Sequence, residues 1–134
     1  DTFETAITWD RFETFYKSVK DDVGRAITRA TGQKARLSCR FTHLYPDGPA
    51  PYFTVITAAD RVGDIAQWQA IKEAVSEVLT THGASITHHH AVGRDHRPWY
   101  DRQRPEVFAA ALRAAKAELD PAGILNPGRL YADL

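Results

Sequence analysis

The sequence has no methionine and a single cysteine, Cys39, among its 134 residues. One cysteine excludes an intrachain disulfide framework and any multi-cysteine zinc or iron–sulfur centre. Net charge is missing as well: 17 Lys and Arg stand against 17 Asp and Glu. A balanced chain has no general attraction for nucleic-acid phosphates or anionic bilayers, so no nucleic acid is expected as a partner. No apolar run approaches the roughly 20 residues that cross a bilayer. The first residues lack the basic-then-apolar pattern of a secretory leader, and a cytoplasmic protein is expected. The missing initiator is expected of a piece of a longer chain. The length suits a single domain over residues 1–134.

What is present is strongly patterned. Thr2 to Thr8 is short and half apolar and predicts a strand. Phe12, Phe15, Tyr16, Val19, Val23 and Ile27 then fall at helical spacing, which predicts a helix over 10–30 stopped by Gly32. Asp10-x-x-Glu13 reads as its capping box. Leu37, Cys39, Phe41 and His43 alternate with Arg36, Ser38, Arg40 and Thr42, the mark of a strand with one apolar face. A turn-rich stretch from Tyr45 to Pro51 leads into a β-branched, aromatic strand from Tyr52 to Ala58. Asp64-x-x-Gln67 suggests a second capping box, before a stripe of Ile65, Trp68, Ile71, Val75, Val78 and Leu79. Ser85 to His90 reads as a last strand. A third helix is expected from Pro105 to Leu119, with Phe108, Ala111, Leu112, Ala115 and Leu119 on one face. The order β-α-β-β-α-β plus a helix predicts an α+β, ferredoxin-like antiparallel sheet with helices on one face.

Histidine is concentrated: five of the six lie between His82 and His96, and His88, His89 and His90 are consecutive. Imidazole moves protons near neutral pH and also binds metals, whereas a solvated cluster at a strand end is the plain alternative. On a strand, His88 and His90 would share a face and His89 would point away, so adjacent imidazoles would not converge on one ion. Zinc also wants a carboxylate or thiolate at a defined spacing, and none is evident, so no metal is expected. His43 sits on the apolar face of its strand, as a satisfied core histidine would, and Tyr52 lies just across the turn. Cys39 reads as core. Arg94, beside Gly93, is equally a solvated cation or a holder of a phosphate or carboxylate, whereas Arg97, Arg102 and Arg104 read as surface.

Three segments carry a resemblance. Ile86-Thr-His-His-His-Ala-Val-Gly-Arg94, Cys39-Arg-Phe-Thr-His-Leu-Tyr45 and Leu119-Asp-Pro-Ala-Gly-Ile-Leu-Asn-Pro-Gly128 resemble the C-terminal cap domain of FAD-linked oxidases of the vanillyl-alcohol oxidase type. Within that family the triple histidine and Trp99 are most similar to the alkyldihydroxyacetonephosphate synthase branch. The resemblance implies FAD held mainly by an N-terminal domain outside these residues, consistent with a chain in which Gly93 alone makes no dinucleotide fingerprint. It implies a small-molecule phosphate substrate, exchange of an acyl for an alkyl chain in ether-lipid synthesis, and a full-length homodimer at a membrane surface. By motif position it makes Tyr52 the acid/base and gives His89 and His90 the substrate's dihydroxyacetone part. His43, His88, Arg94 and Asn126 become substrate- or cofactor-binding residues.

Related dehydrogenases of 2-hydroxy acids hold a divalent metal with two hairpin histidines and a Glu-His pair. Here His43 matches the first of these, Tyr52 stands at the second and His89 stands at the glutamate, which removes hard ligands. Ala91 replaces an expected glycine and Arg94 an expected lysine. Two other readings stay open: a flavin oxidase or dehydrogenase of a small hydroxy acid, and a stand-alone module with a metal-binding histidine turn. The chain by itself is expected to be catalytically silent.

Overall fold

The computed structural model describes residues 1–130, which form two compact units divided after His90. The first unit contains β1 (Thr2–Glu4), α1 (Trp9–Thr31), β2 (Ala35–Leu44), β3 (Pro49–Thr57) and α2 (Asp64–Thr81). The second contains α3 (Arg97–Gln103) and α4 (Glu106–Leu119). The α+β class is observed, with an antiparallel sheet in the order β1-β3-β2. None of the helices among the described residues is long and apolar enough to cross a membrane.

Helix α1 follows the periodicity read from the sequence. Phe15, Val19, Val23 and Ile27, four residues apart, are buried, and each such side chain contributes about 1.5–3 kcal/mol. They meet Ile71, Val75 and Leu79 of α2 and the sheet residues Phe3, Phe53 and Val55 in one core. Phe3 and Phe53, paired in register, stack with ring centroids 4.7 Å apart. Gly32 ends α1 at φ 70°, its N–H donating to Thr28.

Neither expected capping box forms. Asp10 lies inside the first turn of α1, where its charge favours the helix dipole without capping it. The Gln67 side chain instead braces the loop before α2, accepting from the Asp60 N–H and donating to the Ala58 carbonyl. Ile65 falls off the expected stripe and is exposed.

The last predicted strand does not form. Thr5 and Ile7 continue the pairing of β1 with the Pro51 and Pro49 carbonyls. Ser85 donates to the Ala6 carbonyl, so the 85–90 segment lies beside β1, where a fourth strand would sit. Further along, three of its N–H groups turn to a side chain. Glu4 Oε1 accepts from the backbone N–H of His88, His89 and His90 at 2.5, 2.7 and 3.0 Å. A carboxylate collecting three successive amides curls the segment and competes with a regular ladder.

In the second unit, α3 was not expected, and Pro98 sits in its first turn without loss of a helical bond. Pro105 precedes α4 instead of opening it. Of the expected α4 face, Phe108 and Leu119 are exposed, and Ala109 is the buried residue. The Asp120 carboxylate closes the following turn by accepting from the N–H groups of Ile124 and Leu125 and from Lys116.

Two backbone positions give opposite expectations. Gly48 lies in the β2–β3 turn so close to the Ile7 carbonyl that a Cβ would stand 2.0 Å from its oxygen. Gly48→Ala is expected to lower stability by about 1–3 kcal/mol. Ala91 sits at φ 66°, a left-handed conformation that penalises a side chain, and is the position where glycine was expected. Ala91→Gly is expected to raise stability by about 1 kcal/mol. Urea unfolding of the two variants beside the parent chain checks both signs.

Candidate active site on the sheet face opposite α1 and α2

A β-bulge builds the site. Between Phe41 and His43 the β2–β3 register shifts: Phe41 pairs with Pro51, but His43 pairs with Ala50. The extra residue, Thr42, reverses the alternation. His43 therefore leaves the apolar face of Leu37 and Cys39 and shares the opposite face with Tyr52 and Arg40, which pair directly. His43 is exposed, which corrects the core position expected for it. Glu4 pairs with Tyr52 from the other side, so the same face carries Glu4, Tyr52 and Arg40 in a row. Within the first unit, α1 and α2 pack on the other face.

The curled 88–90 segment brings its three imidazoles together over that row. His43 lies 5.0 Å from His88 and 5.3 Å from His89 between ring centroids. Tyr52 stacks on His89 at 6.2 Å and meets His90 edge-on at 5.2 Å. The Arg40 guanidinium stands over the Tyr52 ring at 4.7 Å. Tyr45 Oη and His88 Nε2 are 3.0 Å apart. With no strand at 85–90, the expected split of His88 and His90 from His89 is absent, and His88 Nδ1 and His89 Nδ1 face each other at 3.2 Å. Imidazoles and phenols in such contact can pass a proton near neutral pH.

Glu4 underlies the cluster. Its side chain is fully buried. Burial by itself raises its pKa, but the amides of His90, His88 and His89 and the Thr87 hydroxyl favour the anion and hold it below the usual carboxylate range. Sequence reasoning missed Glu4, Arg40 and Tyr45. The available signal for Glu4 was a charged residue alternating with Phe3 in a short strand.

Other candidates lie elsewhere. His82 sits on the helix side of the first unit, with Nε2 2.7 Å from the Asp22 carboxylate. That contact, foremost, keeps the Asp22 carboxyl below its ordinary range. A groove between α1 and α2, lined by Asp22, Arg29, Val78 and His82, shares no residue with the histidine triplet. Burial pushes the Cys39 thiol up, away from an activated thiolate. Arg94, His96 and Asn126 belong to the second unit. There Arg94 Nη2 is 3.5 Å from the Pro127 carbonyl, Arg97 donates to the Gly128 carbonyl, and Asn126 occupies a turn at φ 49°.

The chain belongs to the family of FAD linked oxidases, C-terminal domain, whose family model matches residues 1–130. Alkyldihydroxyacetonephosphate synthases of Trypanosoma brucei brucei and Dictyostelium discoideum are 32% and 28% identical over 130 residues, covering 97% of this chain and 21% of each relative. The chain thus spans about a fifth of the length of these curated relatives. D-2-hydroxyglutarate dehydrogenase of Stutzerimonas stutzeri is 29% identical over 56% of the chain and 16% of that relative. A solved alkyldihydroxyacetonephosphate synthase superposes on 95% of this chain and 20% of that one, with a TM-score of 0.62 and 20% identity, which shows the common fold.

The 88–90 turn is not built to wrap a dinucleotide such as FAD. The three amides converging at 88–90 are already filled by Glu4, so that turn offers no cradle to a pyrophosphate. The imidazoles and Tyr52 instead form a polar wall on a face that no helix of the first unit covers.

Glu4→Gln is expected to destabilise the chain by about 2–3 kcal/mol at neutral pH, because it leaves the amides of 88–90 without an anion. The folded-state pKa of Glu4 is lowered, so its contribution is present above the ordinary carboxyl range and is lost as pH falls through the folded value. The stability gap between parent and variant should therefore narrow below about pH 4, as read by denaturant unfolding across pH.

Proposed function

We propose that this chain forms the substrate-facing wall of an FAD-dependent enzyme that carries out the alkyldihydroxyacetonephosphate synthase reaction, the exchange of the acyl chain of an acyl-dihydroxyacetone phosphate for a fatty alcohol. The observation that carries this reading is Tyr52 on the sheet face opposite α1 and α2, with His89 and His90 against its ring and Arg40 above it. Matches to synthases over nearly the whole chain support it.

In this reading Tyr52 Oη takes and returns the proton that the substrate carbon must lose for its acyl group to be exchanged. His89 and His90 hold the dihydroxyacetone part by hydrogen bonds to its oxygens. His43 and His88 extend that polar wall. Arg94 and Asn126, in the second unit, are proposed to bind the anionic end of the substrate or the cofactor. FAD, held mainly by a domain outside these residues, supplies an electrophilic, electron-accepting ring. The whole protein is proposed to be a cytoplasmic homodimer at a membrane surface, where its long-chain substrates partition.

A second reading, oxidation of a small hydroxy acid, draws on the match to the dehydrogenase. Against it stands Tyr52, a phenol where that chemistry would have a further imidazole.

In the full-length protein, Tyr52→Phe is expected to lower alkyl transfer at least about 100-fold while far-UV circular dichroism and flavin absorbance stay unchanged. Full activity in that variant would overturn the role of Tyr52. Dye reduction by 2-hydroxy acids without an ether product would favour the second reading.

A further inference from the structure

We infer that Glu4 is a positioning residue whose second carboxylate oxygen fixes which ring nitrogen of His88 and of His89 carries the proton. The placing of these protons does not rest on the proposed reaction; its consequence for the substrate does. Glu4 Oε1 is taken up by three amides and the Thr87 hydroxyl. Oε2 is buried and stands outside that set. His88 Nδ1 lies 3.5 Å from it and His89 Nδ1 3.3 Å, and the two Nδ1 atoms are 3.2 Å apart. Both rings thus turn the same nitrogen toward one anionic oxygen. The contacts are longer than an ordinary N–H···O bond, so they act by charge more than by overlap.

A neutral imidazole carries one proton, on Nδ1 or on Nε2. With both protons on Nε2, two lone pairs would face a buried carboxylate oxygen. With one proton on Nδ1, whichever way it points, the other ring still sets a lone pair against the anion. With both on Nδ1, each N–H faces Oε2, and a carboxylate oxygen has room for two donors. A buried anion favours facing donors over facing lone pairs, so the carboxylate sets the choice. The close approach of the two Nδ1 atoms is then the result of two donors sharing one acceptor. Tyr45 agrees with this arrangement, since its hydroxyl, 3.0 Å from His88 Nε2, can donate to that bare nitrogen.

The consequence falls on His89 Nε2. The ring of His89 is exposed and stacks on Tyr52. His43, His88 and His90 also lie against it, and none of these neighbours is a carboxylate, so Glu4 supplies the anion. With Nδ1–H held at Glu4, His89 gains and loses its proton at Nε2. In the proposed reaction the Nε2–H of the charged ring donates to an oxygen of the dihydroxyacetone part, and the bare Nε2 of the neutral ring accepts from a hydroxyl. A carboxylate behind an imidazole holds the ring in one tautomer in the same way in hydrolytic triads. Glu4 touches no substrate here and acts through His89.

The test is long-range ¹H–¹⁵N correlation NMR of the ¹⁵N-labelled chain at about pH 8, above the ordinary imidazole range. His88 and His89 should both carry their proton on Nδ1. In Glu4→Gln the amide oxygen stays with the backbone N–H groups and the amide NH₂ faces the rings, so Nδ1 must accept and the protons should move to Nε2. Because Glu4→Gln also weakens the fold, Tyr45→Phe at an exposed position is the second variant, and it should leave both protons on Nδ1. The inference is overturned if either ring of the parent carries its proton on Nε2, if folded Glu4→Gln keeps the parent pattern, or if Tyr45→Phe moves the proton of His88. These readouts need no substrate, so their failure is distinct from a failure of alkyl transfer in the full-length protein.

Discussion

A buried carboxylate gathering three consecutive amides is the interaction on which this surface depends. Removing Glu4 from water costs several kcal/mol, and only bonds to the anion offset it. Hydrogen bonds to a charged group are worth about 1.5–3 kcal/mol each. Here Oε1 receives three amides and a hydroxyl, and the lowered pKa says that these bonds outweigh desolvation. The consequence is geometric. Amides that would have extended the sheet bend toward one point, and the side chains behind them spread into a cluster. The histidine triplet is a turn, and it is a turn because of a residue more than eighty positions upstream.

The bulge at Thr42 is the second constraint, and it works by parity. Side chains on a strand alternate, so one inserted residue exchanges the faces of everything beyond it. Before the bulge, Leu37 and Cys39 serve the core; beyond it, His43 joins Tyr52 and Arg40 on the opposite face. Tyr45 then reaches His88, while the backbone carbonyl of Tyr45 accepts from the Trp9 indole at 3.0 Å and ties the hairpin to the start of α1. Gly48 completes the turn by letting the Ile7 carbonyl approach.

Much of the scaffold was legible, for a simple reason. Phe15, Val19, Val23 and Ile27 answer to a period that one helix enforces, and Gly32 to a backbone angle that one residue type favours. The β2–β3 hairpin, likewise, announces itself through local alternation. The resemblance of the histidine motif, the Cys39–Tyr45 segment and the Asn126–Pro127–Gly128 ending also led to the family. What was not legible is nonlocal. No window around Ser85–His90 contains the Glu4 carboxylate that prevents a strand there. Nothing in the Arg36–His43 alternation reports a bulge, because Thr42 is as acceptable in the strand as out of it. The capping boxes failed differently: Asp10 and Gln67 have the right chemistry, but Asp10 lies two positions and Gln67 one position past the place the pattern assigns. His43 was placed by parity and lost by parity, and His88 and His89 were set apart by a strand rule that does not govern a curled segment.

The filled amide turn also bears on how this face receives charge. A row of convergent N–H groups is the usual place for a phosphate or carboxylate, and here the chain's own carboxylate already occupies it. An anionic group arriving on this face meets side chains instead. Within the first unit the nearest fixed cation to Tyr52 is the guanidinium of Arg40, held over the ring by the register that pairs Arg40 with Tyr52. A guanidinium keeps its charge at every accessible pH, so its attraction for an anion is constant across that range. The zero net charge fits this division: attraction on this face is local, built from a few placed cations.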